Sequence, residues 1–147
     1  MWQRARFLAA MTFALLVGGG VASAQSKGAE PVRVAGSYKA SFSSVANNCD
    51  GVGMNIASAE VQLHESAGRK VSVTIPAVPI MKGTVNRGGK FKASVKRGKT
   101  AIQGVDGRFS AAGRVAKDHL QLLFIAEYFQ GDKPLCTQSW NASGPRQ

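Results

Sequence analysis

Between His119 and Phe129 the chain places Leu120, Leu122, Phe124, Ala126 and Tyr128 on one parity. His119, Gln121, Leu123, Ile125 and Glu127 take the other. Side chains of an extended strand leave alternate faces, whereas those of a helix repeat every 3.6 residues. This run can therefore bury its aromatic parity only as a β-strand with one face against a core. The same period recurs elsewhere. Val71, Val73 and Ile75 alternate with Lys70, Ser72 and Thr74, and Phe91, Ala93 and Val95 alternate with Lys90, Lys92, Ser94 and Lys96. Arg87-Gly88-Gly89, Arg97-Gly98-Lys99 and Lys117-Asp118 lie between such runs, where hairpin turns belong.

Extending this pattern predicts strands over 32–45, 57–64, 69–75, 80–86, 89–96, 100–116, 119–129 and 133–141. Two of these segments are ambiguous. Residues 100–116 carry Gly104, Gly107 and Gly113, which fits one bent, bulged strand or two short ones. Residues 56–66 hold helix formers (Ala57, Ala59, Glu60, Gln62, Leu63), so strand and helix both stay open there.

The two cysteines bear on topology. Cys49 follows the first expected strand and Cys136 opens the last. In an antiparallel sheet the end of one strand lies beside the start of its neighbour. A Cys49–Cys136 disulfide would then join first strand to last and remove the exposed edges of the sheet. The expectation is an all-β fold: an antiparallel up-and-down meander of about eight strands closing into a small barrel or tight sandwich. Such closure needs an even count, so it weakens if 100–116 splits. In strand number and size this resembles lipocalin-like barrels, in architecture only.

The N-terminus reads as an export signal. Arg4 and Arg6 precede an apolar run from Phe7 to Val17, Gly18-Gly19-Gly20 ends it, and Ala22-Ser23-Ala24 suits a signal peptidase. The run is too short to span a bilayer comfortably. We expect residues 1–24 to be a cleavable signal peptide, 25–31 a flexible leader and 32–147 a single β-domain, periplasmic or secreted. An oxidising compartment also favours pairing of the two cysteines. Uneven strands and few aromatic residues argue against an outer-membrane barrel.

The charge is concentrated. The formal net charge is +11, and ten Lys/Arg fall between Lys82 and Lys117 against one acid, Asp106. Lys90, Lys92 and Lys96 share a strand face, with Arg97 and Lys99 next to them, so these five are the candidate binding residues. A stripe of this kind attracts anionic partners: anionic lipid, lipopolysaccharide, a wall polymer or an acidic protein. Nucleic acid is unlikely, because single-strand grooves pair cations with stacking aromatics and Phe91 points away from the lysines.

Other motifs weigh little. Lys96-Arg97-Gly98-Lys99-Thr100 resembles the end of a phosphate loop, but position 93 is Ala where the pattern needs Gly. His64 and His119 are the only histidines, and nothing in the sequence places them together. No catalytic motif, metal-ligand spacing or cofactor signature is present. Asn47-Asn48-Cys49-Asp50-Gly51 reads as a tight polar turn. The first expectation is a non-catalytic exported protein that binds an anionic envelope component or a small apolar or amphipathic ligand. An interaction or inhibitor subunit of an envelope complex is the alternative, and a small hydrolase built on His64 or His119 ranks last.

Overall fold

The computed structural model describes residues 30–147; the expected signal peptide and the leader up to residue 29 lie outside the described residues. The strands are β1 (Gly36–Asn47), β2 (Ser58–Ser66), β3 (Lys70–Thr74), β4 (Met81–Val85), β5 (Lys90–Lys99), β6 (Val105–Ala116), β7 (His119–Gln130) and β8 (Lys133–Pro145). Each pairs antiparallel with its neighbours in chain order, and β1 pairs with β8 to close the barrel. The segment that could also have been a helix is β2. Its burial alternates at Val61 and Leu63, the signature of a strand with one face inward.

The inward parity foreseen on β7 is the buried one: Leu120, Leu122, Phe124, Ala126 and Tyr128 all lie in the core. Around them, ring contacts run across β6, β7 and β8. Phe124 stacks on Phe109 at 6.2 Å and on Trp140 at 5.3 Å, and Tyr128 meets Phe109 edge-on at 6.1 Å. Tyr38, Met81, Val61 and Val73 fill the other side of the same cluster. The barrel interior is thus occupied by packed side chains, as is usual for small barrels. Two inward glycines allow the wall to coil tightly. A Cβ on Gly83 would strike the Lys92 carbonyl, and one on Gly144 the Lys39 carbonyl. Strand glycines of this type mark close backbone approach.

Both ends of the barrel are covered by chain. At one end the β1–β2 connection is stapled by the Cys49–Cys136 disulfide, with 5.0 Å between the Cα atoms. Val52, Met54 and Ile56 pack down against the core. Gln138 is buried and clamps this loop: its Oε1 accepts from the Met54 N–H at 2.8 Å, and its Nε2 donates to the Met54 carbonyl at 3.1 Å. Gly53, at φ 115°, passes over that amide where a Cβ would collide with it.

The opposite end is covered by residues 32–35, and here the first expected strand needs correction. It begins at Gly36, not at 32, because other partners take up the backbone before it. The Val32 N–H donates to the Arg87 carbonyl, and Arg146 donates to the carbonyls of Arg33 and Ala35. Val34 is fully buried, and its carbonyl accepts from the Tyr38 hydroxyl at 2.6 Å.

Of residues 100–116 only 105–116 form a strand, β6; the turn before it is 100–104, and Arg97-Gly98-Lys99, expected as that turn, instead continues β5 because Gly98 and Lys99 pair with Gly107 and Asp106. Thr100 Oγ1 donates to the Val105 carbonyl at 2.7 Å, Gly104 lies in this turn, and Gly107 and Gly113 do not divide β6. The even count therefore holds. The irregularity sits on β5 instead, where the register to β6 shifts between Val95 and Gly98. Further shifts fall at Val45 on β1 and Leu135 on β8, and both residues are turned outward. That accounts for two of the large exposed apolar side chains, since a bulge re-aims what it carries.

A candidate cationic interface on the outer wall

The outer wall is built by ladder register. Residues directly opposite on paired strands have Cβ atoms about 5 Å apart, so each row of outward residues is a row of neighbours. One row runs Lys70–Thr84–Lys92–Ala112–Leu123–Asn141 from β3 to β8. The next runs Ser72–Lys82–Ser94–Ser110–Ile125 from β3 to β7. On the other side of the first lies Lys90–Arg114–Gln121–Ser143. Lysines and hydroxyls thus alternate across β3–β5, and an apolar strip of Ala112, Leu123 and Ile125 follows on β6 and β7.

Two open concavities lie along these rows. The larger, of about 960 Å³, is lined by Lys90, Lys92, Ala112, Arg114, Gln121 and Leu123 among others. The second, of about 330 Å³, shares Lys92, Ala112 and Leu123 with it and continues to Lys82, Ser110 and Ile125.

The acids of the wall are committed elsewhere. Arg97 Nε donates to Asp106 Oδ2 at 3.1 Å, and the same guanidinium reaches the Gly131 carbonyl and lies 4.6 Å over the Phe129 ring. Arg108 holds Glu127 through two bonds of 2.7 and 3.0 Å. That hydrogen-bonded pairing keeps the Glu127 carboxyl below its ordinary value. Arg146 takes Asp118 at 3.0 Å. No lysine has an ion-pair partner among the described residues. Arginine suits such work because its planar fork binds a carboxylate through two donors, whereas lysine offers a point charge on a flexible stem.

The five candidates from sequence separate accordingly. Lys90 and Lys92 line the larger groove. Lys96 and Lys99 are exposed, but they lie within and past the bulge, toward the β5–β6 turn. Arg97 is held by Asp106, Gly131 and Phe129. The register adds Lys70 and Arg114, which the stripe on one strand did not include. Alternation in 70–74 marked Lys70 as outward, but only the pairing of β3 with β4 brings it beside Thr84. Alternation puts Leu123 and Ile125 on the parity opposite the aromatic one, but only the β6–β7 register joins them with Ala112 into one strip.

The histidines stay apart in role. His64 lines an open groove of about 480 Å³ with Ser66, Lys70, Ser72 and Lys82. Ser72 is its ladder partner, but no hydrogen bond links the two side chains among the described residues. His119 is exposed at the start of β7. Among the described residues no group of three His, Cys, Asp or Glu side chains is placed to hold a metal, and there is no helix long and apolar enough to cross a membrane. Comparison of the chain with protein-family models, curated proteins and solved structures finds no match.

Proposed function

We propose that this protein is an exported, non-catalytic binding domain that docks on an anionic component of the cell envelope through its lysine-bearing outer wall. The observation that carries this reading is the division of labour among its cations. Arginines neutralise Asp106, Glu127 and Asp118, while Lys70, Lys82, Lys90 and Lys92 stand unpaired on adjoining strands. Unpaired like charges held close on a rigid sheet repel one another, and an anionic partner relieves that repulsion. The disulfide fits an oxidising compartment. A ligand inside the barrel is the weaker version, because the inward positions belong to a contiguous core and both ends are covered.

Binding of the domain to phosphatidylglycerol vesicles should be strong at low salt and fall steeply as ionic strength rises, with no binding to phosphatidylcholine. Each basic residue near an anionic surface contributes about 1 kcal/mol, a roughly fivefold change in affinity. Changing Lys70, Lys82, Lys90 and Lys92 together to Gln should therefore abolish vesicle binding and leave thermal unfolding cooperative. Retained affinity in that variant, or binding indifferent to salt, would overturn the reading.

A further inference from the structure

Lys90 and Arg114 are direct partners in the β5–β6 ladder. Like charges placed opposite one another destabilise a sheet, and neither has a carboxylate partner among the described residues. Two residues along β5, Lys92 faces Ala112, and Ala112 faces Leu123. Leu123 is 38 % exposed, with polar Gln121 two residues before it on β7 and Asn141 opposite it on β8. The concavity floored by these residues continues through Lys92, Ala112 and Leu123 toward Ile125. From the Arg114 row to the Ser110 row the path covers four residues of strand, about 13 Å.

We propose that this groove holds one anionic amphiphile. Its phosphate or carboxylate sits among Lys90, Lys92 and Arg114, and its acyl chain lies along Ala112, Leu123 and Ile125. The inference rests on the binding role proposed above and names the ligand class for one part of that wall. A hydrated polyanion would use the cations and gain nothing from the apolar strip. A flat bilayer would not follow a concave floor. A single amphiphile uses both, because its charge lies between opposed cations and its chain covers apolar surface worth about 25 cal/mol per Å² removed from water.

Titration with dodecyl phosphate below its micelle concentration tests this, with inorganic phosphate and dodecyl maltoside as the charged and apolar halves. Dodecyl phosphate should bind at least tenfold more tightly than either half and shift the amide resonances of Ala112 and Leu123. Leu123→Ser should weaken dodecyl phosphate at least fivefold while leaving phosphatidylglycerol vesicle binding intact, and Lys90→Gln with Arg114→Gln should weaken both. Thermal unfolding of each variant verifies that it folds. Equal affinity for inorganic phosphate and dodecyl phosphate overturns the inference, and so does indifference to Leu123→Ser. Binding to vesicles without binding to the monomeric amphiphile removes this inference and leaves the broader role standing. Failure of both ligands removes both.

Discussion

Buried polar atoms are the residues at which small chemical changes have measurable consequences. Gln138 satisfies both its oxygen and its nitrogen on Met54. The Tyr128 hydroxyl, by contrast, is buried with no protein hydrogen-bond partner among the described residues. An unsatisfied buried hydroxyl costs about 1–3 kcal/mol, so Tyr128→Phe should raise the free energy of urea unfolding at neutral pH by about 1 kcal/mol. Unchanged stability would show that a bound water serves the hydroxyl. Burial also pushes the phenol of Tyr128 above its ordinary value, and burial does the same for Tyr38 against the opposing pull of Arg146. Both rings must stay neutral in the fold. Their contribution is intact below the unfolded tyrosine value of about 10 and is lost as pH rises above it. The Phe variant should hold its stability further into the alkaline range, with Tyr38 setting what remains.

At the level of elements, the strands divide into a wall and two covers. The wall depends on hydrogen-bonded ladders that close on themselves, so it has no edge to fray. The cover formed by the β1–β2 connection depends on one covalent link and on the Gln138 clamp. The disulfide closes a separation of 87 residues, which restricts the denatured chain by an amount worth about 4.6 kcal/mol. Cys49→Ala with Cys136→Ala should lower unfolding stability by roughly that amount. It should also speed amide exchange at Met54 well before it does so in β3–β6, because the loop loses its staple while the ladders persist. Uniform acceleration across all strands would mean instead that the bridge supports the whole barrel as one unit.

For the whole molecule, charge distribution outweighs net charge. Ion pairs on an exposed wall contribute little to stability, and the cations without partners repel across β3–β6. Raising ionic strength from about 0.01 M to 0.15 M shortens the screening length from about 30 Å to about 8 Å. The thermal midpoint should therefore rise with salt over the range in which the proposed anionic binding weakens. Replacing Lys70, Lys82, Lys90 and Lys92 with Gln should flatten that dependence and raise the midpoint at low salt. A midpoint that falls with added salt would mean that the arginine pairs outweigh the lysine repulsion. With a rising midpoint, the lysines limit stability in the free protein and would carry its proposed binding, a trade-off expected where a surface is arranged for a partner.

Sequence by itself determined the strand parity, the pairing of the two cysteines and the clustering of positive charge, while it left open whether 100–116 was one strand or two and whether 56–66 was strand or helix. Each of these follows from a local period or a short-range composition. His119–Phe129 could present its aromatic face only as a strand, and Cys49 followed the first strand of a meander while Cys136 lay near the start of the last. Register and the covering of the barrel ends were decided by tertiary structure. A ladder shifted by one residue turns every side chain to the other face. Whether Lys70 lies beside Thr84, or Lys92 beside Ala112, therefore depends on pairings between segments that the linear chain does not rank. Nor could alternation show that residues 32–35 leave the strand for the barrel end. Their apolar–polar pattern is that of a strand, and only the distant Arg87 carbonyl and the Arg146 guanidinium draw their backbone away.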